Sequence, residues 1–236
     1  MAETAETTEE RKLERERAAD RVGDRVAGYR NERNFKVSEL ARMVGVSPSL
    51  ISQIERGQSR PSVSTLFALA DALEVPVDAF FAKDEDSGIA NAPRQRSSAR
   101  SGGDGADRAG QDVRYVVRRD GRAAIDIEGG VRWERLTPET LPHVDFLELV
   151  YEPGAESNSG LYRHPGTEMV LVLSGRLDIF VGFERYELGP GDSIHFPSTF
   201  PHRYINPSTD EVARAVTVIL HDGDRAAPGD HEQPRV

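Results

Sequence analysis

The strongest constraint on this chain is a change of periodicity. Between residues 21 and 83 apolar residues recur at helical spacing, whereas from 112 to 221 they fall in short runs of strand length punctuated by turn signals. Residues 84–111 between them are Ser, Gly, Asp, Arg and Ala with almost nothing to bury. A helix-period pattern does not sit in a sheet, nor a strand pattern in a bundle, so the 236 residues divide into two modest domains. The middle stretch reads as a flexible linker, which as a random coil spans roughly 30 Å and lets the two flanking domains move separately. The charged run 1–20 and the polar run 222–236 read as disordered tails.

In the first domain Val37, Leu40, Ala41 and Val44 fall at i, i+3, i+4 and i+7, a helix with one apolar stripe that Gly45 breaks. Ser47 is a good N-cap and Pro48 suits the first helical position, so a second helix starts at once. It runs to about Arg56, buries Ile51 and Ile54, and stops at Gly57. The short turn Gly45-Val46 sets the pair at a steep angle, a helix-turn-helix. Ser62 caps a further helix whose Leu66, Leu69, Ala70 and Leu73 repeat the stripe. The expectation is an all-α domain of five short helices over 21–83.

The second domain, 112–221, reads as all-β. Strands are expected at 113–118, 131–136, 146–151, 169–173, 176–181, 193–196 and 213–220, separated by turns such as Asp120-Gly121, Pro153-Gly154 and Gly189-Pro190-Gly191. Many short strands without intervening helices form an antiparallel barrel or jelly roll. His164 and Glu168 are four apart, and even spacing on a strand keeps both on one face; His202 and Asn206 repeat the spacing. His195 alternates with Ile194 and Phe196 and so faces away from the interior, while His143, His221 and His231 lie apart from this pattern.

Composition narrows the chemistry. With no cysteine there is no disulfide framework and no thiolate, so any metal must use His, Asp or Glu, and a reducing compartment is compatible. The N-terminus lacks an apolar signal region and no stretch approaches membrane-spanning length, so a cytoplasmic protein with no membrane partner is expected. The net charge of −10 argues against a nucleic-acid partner, but from Arg21 to Leu66 eight basic residues face four acidic ones, a balance of +4.

The segment FKVSELARMVGVSPSLISQIERGQSRPSVSTLFALADALEVPVDAFF resembles the lambda-repressor/Cro-like, or XRE, family of helix-turn-helix regulators in its helix lengths, turn, cap and Gln-Ile-Glu-Arg-Gly exit. The competing reading is a helical bundle without a DNA role. The resemblance implies that the N-terminal half of the second helix enters the major groove, placing Ser49, Ser52 and Gln53 against base edges. Lys36, Ser47, Arg56 and Arg60 are then the candidates for phosphate contacts. Arg30 and Glu55 correspond to a structural ion pair rather than to base readers.

The second domain resembles the cupin superfamily, a double-stranded β-helix. The first motif, usually H-x-H-x3-E-x6-G, appears as Tyr162-x-His164-x3-Glu168-x6-Gly175. The second, usually G-x5-P-x-G-x2-H-x3-N, appears as Gly191-x5-Pro197-x-Thr199-x2-His202-x3-Asn206. Tyr162 replaces a histidine and Thr199 a glycine. His164, Glu168 and His202 are candidate ligands for one divalent metal, a facial set suited to Fe(II) with Zn(II), Ni(II) or Mn(II) open. The competing reading is a decayed site left as a polar pocket. Tyr162 is either a weak fourth group or a lid, and Tyr162, Arg163, His164, Glu168 and His202 are expected to gather near the pocket mouth. Together the resemblances imply a non-enzymatic regulator that binds a pseudo-palindromic double-stranded DNA operator as a homodimer and senses a small-molecule effector. The alternative is a metal-dependent cupin enzyme, resembling epoxidases and oxygenases, that carries a helix-turn-helix domain.

Overall fold

The computed structural model describes residues 22–81, 115–141 and 143–221; the expected tails at 1–20 and 222–236 and the expected linker at 84–111 lie outside the described residues. The helical domain has α1 (22–32), α2 (Val37–Val44), α3 (Pro48–Glu55), α4 (Val63–Ala72) and a 3-10 helix, Val77–Phe81. Gly45 ends α2 at φ 79°, where the left-handed backbone lets its N–H close onto Ala41. Ser47 then caps α3 by accepting from the Leu50 N–H at 3.2 Å, and Ser62 caps α4 through the Thr65 N–H. Leu40, Ile51, Ile54, Leu66, Leu69 and Leu73 are fully buried between the helices. The Arg30 guanidinium clamps α1 to α3, donating to Glu55 (Nη2 to Oε2, 3.1 Å) and to the Phe35 carbonyl (2.8 Å), the structural pair expected.

The second domain is built of β1 (Ala124–Ile127), β2 (Val131–Arg135), β3 (Val144–Tyr151), β4 (Thr167–Ser174), β5 (Leu177–Val181), β6 (Glu184–Leu188), β7 (Ser193–Pro197), β8 (His202–Ile205) and β9 (Ala213–Leu220). A six-stranded sheet in the order β1-β2-β3-β9-β4-β7 faces a three-stranded sheet in the order β6-β5-β8, and each pairing between these strands is antiparallel. Inward residues alternate along the strands: Leu147, Leu149, Val170, Val172, Ala213, Ala215, Leu177 and Ile179 are buried. The strand expected at 113–118 is not formed over its described part. Tyr115 is helical and 73% exposed, and a 3-10 turn, Arg119–Gly121, follows; among the described residues no strand pairs with 115–118 to reward an extended backbone. Three short strands, β1, β6 and β8, fall outside the runs named from the sequence, although the even spacing of His202 and Asn206 already pointed to a strand at β8. No helix among the described residues is long and apolar enough to cross a membrane.

The two domains touch, which amends the expectation that they move separately. The Glu128 N–H donates to the Pro61 carbonyl at 3.0 Å, and the Ser64 hydroxyl donates to Asn158 Oδ1 at 3.2 Å. Arg135, 3% exposed, lies 3.6 Å from Asp78, 2% exposed, across the interface. Phe67 of α4 projects between Trp133, Tyr162 and His164 of the barrel.

Candidate functional sites

On α3, Ser49, Ser52, Gln53 and Arg56 fall at i, i+3, i+4 and i+7, so they share the face opposite the buried Ile51 and Ile54. Ser49, Gln53 and Arg56 are exposed and Ser52 is half-buried. Lys36, exposed at the N-cap of α2, donates its backbone N–H to Glu39 at 2.7 Å, which leaves the ammonium uncommitted by that bond. Two residues carry internal partners, of which the sequence revealed the Ser47 cap and not those of Arg56. The Ser47 hydroxyl is the α3 cap, and the Arg56 guanidinium donates to Ser52 Oγ and to Gln58 Oε1 (3.0 Å). Arg60 is half-buried beyond the exit of α3.

In the barrel, β4 carries Glu168 inward and β8 carries His202 inward, while the segment before β4 presents His164. All three are buried, and their donor atoms lie within 4.8 Å of one another. His164 Nε2 is 3.4 Å and His202 Nε2 3.5 Å from Glu168 Oε2. None of these three atoms has a hydrogen-bond partner, although each is buried. Orphaned buried polar atoms are costly, so their convergence on one point needs an explanation. The backs of the rings supply it. His202 Nδ1 is 2.8 Å from the Phe200 carbonyl and His164 Nδ1 is 3.2 Å from the Pro165 carbonyl. A carbonyl only accepts, so each Nδ1 carries the proton and each Nε2 turns a lone pair inward, the tautomer of a metal-binding imidazole. Thr217 Oγ1 donates to the other Glu168 oxygen at 3.2 Å and fixes that carboxylate. Ligand atoms at about 2.1 Å from one divalent ion sit about 3.0–3.4 Å apart, and the two histidine–carboxylate spacings, 3.4 and 3.5 Å, lie close to that range.

The protonation states of the three groups are coupled. Burial opposes ionisation of Glu168, but a hydrogen bond from His164 and the positive charge that His164 and His202 carry when protonated outweigh it and place the carboxyl below its ordinary pKa. Burial lowers the pKa of His202 against the pull of Glu168 and keeps its ring neutral. Tyr162 and Tyr204 are pushed well up by burial and keep their hydroxyl protons.

Tyr162 stands 4.4 Å, ring to ring, from His202, and its backbone pairs with that of His202 in both directions (3.0 and 2.8 Å), so it walls the triad. Arg163 does not join the group. One residue along an extended segment, it is exposed and lines a cavity of about 400 Å³ between the domains, with Phe67, Asp71, Val75, His164 and His221. His195 is exposed on the outer face, as its alternation implied. Sequence reasoning missed Thr217, Tyr204 and Phe67. Tyr204 carried a signal, since it lies two residues from His202 on the same strand. Phe67 carried one too, as a large aromatic beside, rather than on, the apolar stripe of α4.

Residues 26–80 match the helix-turn-helix family model and residues 147–219 the cupin domain model. The chain is similar to the HTH-type transcriptional regulator SutR of Escherichia coli, 25% identical over 178 residues, which are 75% of this chain and 82% of SutR. It is similar to the HTH-type transcriptional regulator PuuR of the same bacterium, 23% identical over 188 residues, 79% of this chain and 88% of PuuR. Among solved structures, an HTH_3 family transcriptional regulator from Vibrio cholerae superposes with a TM-score of 0.55 at 19% identity, over 88% of this chain and 99% of that one. At that identity the superposition speaks for the fold.

Proposed function

We propose that this chain, which belongs to the XRE family of helix-turn-helix regulators with a C-terminal cupin domain, binds a pseudo-palindromic DNA operator as a homodimer and senses a small-molecule effector in its cupin pocket. The observation that carries the DNA reading is the exposed polar face of α3, Ser49, Ser52, Gln53 and Arg56, set on a buried apolar back. Gln53 offers an amide that pairs with adenine in two bonds, and Ser49 and Ser52 offer hydroxyls of lower discrimination. Lys36, Arg56 and Arg60 supply cations for phosphates, and Ser47 holds the helix start whose free N–H groups favour the same anions. Twofold symmetry is supported by size, since one such domain has a small interface and two recognition helices about 34 Å apart address successive turns of one groove face.

The sensing reading rests on the triad. His164, Glu168 and His202 are the residues that would hold a divalent metal, and Fe(II), Zn(II), Ni(II) or Mn(II) bound there would act as a Lewis-acidic docking point for an oxygen or nitrogen atom of the effector. Tyr162 and Tyr204 close the walls with protonated hydroxyls. The chain is read as a regulator and not an enzyme because its outward groups suit phosphate and base edges. The same open facial set favours, as a second reading, a metal-dependent cupin enzyme.

Fluorescence anisotropy on DNA from upstream of the protein's own gene tests the first reading, against random DNA of equal length and at several salt concentrations. Preference of at least a hundredfold for one segment, bound by two chains per duplex, is the expected result. Equal affinity for both DNAs at every salt concentration overturns it.

A further inference from the structure

The ligand site is not a property of the barrel alone. His164 is 5%, Glu168 4% and His202 0% exposed, so the triad is sealed. Of the three, only His164 reaches the interdomain cavity, and there the ring of Phe67 lies flat on it, 3.9 Å between centroids and 7° between planes. The same ring is 6.2 Å from Tyr162 at 21° and 5.9 Å from Trp133 at 65°. Phe67 thus fills a slot whose walls are three rings of the cupin, although it belongs to the domain that carries α3. Leu66, Leu69, Ala70 and Leu73 form the buried stripe of α4 in a core shared with Leu40, Ile51 and Ile54, whereas Phe67 is only partly buried and points off that stripe.

We propose that Phe67 is the lid of the cupin site, so that exchange of a metal or effector at His164, Glu168 and His202 requires α4 to lift from the barrel mouth. The proposal rests on the reading that this triad binds a ligand. Its consequence is mechanical. Because α4 and α3 share one buried core, a ligand that enters under Phe67 moves the DNA-reading face relative to the barrel. The docked state is held, among other contacts, by Asp78 against Arg135, Ser64 against Asn158 and the Glu128 N–H against the Pro61 carbonyl, and lifting breaks them.

Trp133 is the chain's only tryptophan and touches the lid, which makes the test optical. In the full chain, acrylamide quenching of Trp133 is measured without metal for wild type, Phe67→Ala and Phe67→Leu, the leucine variant keeping apolar bulk and helix propensity. In parallel, protein loaded with Zn(II) alone is mixed with excess EDTA and the rate of metal loss is followed. The lid predicts a quenching constant at least twofold higher in Phe67→Ala, and zinc loss at least tenfold faster with the equilibrium zinc affinity within threefold of wild type. Phe67→Leu falls between. Unchanged quenching and stripping rates in both variants overturn the lid. Zinc affinity that falls in step with the faster loss also overturns it, since Phe67 then supports His164 instead of covering it. Wild type that takes up no zinc sinks the metal reading instead, and the quenching comparison, which needs no metal, still decides on the lid.

Discussion

Gln53 stands at the centre of the outer face of α3, and what it does there is separable from what Lys36 does at the edge. Gln53→Ala is expected to cost roughly 1–3 kcal/mol at one base position, seen as loss of preference there in competition binding. Lys36→Ala is expected to weaken all sequences alike and to reduce the slope of log affinity against log salt by about 1. The histidines divide in the same way. His164→Ala and His202→Ala each leave buried Glu168 with one imidazole, and stoichiometric metal by elemental analysis is expected to vanish in both. His195→Ala, on the outer face, is expected to keep it. Thr217 touches no ligand position yet fixes the far oxygen of Glu168. Thr217→Val should therefore weaken metal binding about 10–100-fold in a competition titration while leaving the stoichiometry at full occupancy unchanged.

The 3-10 helix Val77–Phe81 carries a titration of its own into the interface. Asp78 is buried against Arg135, with Thr140 and Asp145 also facing it and His221 bound to Asp145 at 2.6 Å. Burial, opposed by Arg135, pushes its carboxyl up to about 6 from the ordinary 3.8. A raised acid favours the docked state when protonated: that contribution is fully present below the ordinary pKa and is lost as pH rises through 6. Between pH 5 and 7.5 docking should weaken about tenfold, ~1.4 kcal/mol, read as rising acrylamide access to Trp133. Asp78→Asn should flatten that rise, and an equally steep profile in the variant would assign it to other groups. Elements of this kind were unequally legible. The α2-turn-α3 unit could be read because stripe, cap and glycine all point one way, and the triad because its spacings are periodic. β6 could not, since Glu184–Leu188 has hardly an apolar face and exists by pairing with β5. β8 is four residues long and was visible only through His202. The apolar run near Val116 looked like a strand and is not one, because strand formation depends on a neighbour that sequence does not display. The interface was illegible for the same reason: Phe67 with Trp133, and Asp78 with Arg135, are pairs of residues distant in sequence.

At the scale of the whole molecule, binding of effector and of DNA must be linked reciprocally if both act on the relative placement of the two domains. An effector that weakens operator binding tenfold must itself bind about tenfold more weakly to the DNA complex, about 1.4 kcal/mol in either direction. Titrating the operator with and without a candidate effector, then the effector with and without the operator, measures both sides. Glu168→Ala is expected to abolish the shift while leaving the operator affinity of the effector-free protein within about threefold, and an undiminished shift would remove the triad from the sensor. The strand order has a further effect, in time. β9 is the last described strand, yet it lies between β3 and β4, so the larger sheet has a gap at its centre until Leu220 has been made. From Phe81 to Leu220 is about 140 residues, on the order of 7–30 s of synthesis at ~5–20 residues per second, and N-terminal domains fold first. For those seconds every newly made chain carries the α3 face while the barrel proposed to govern it is still unfinished.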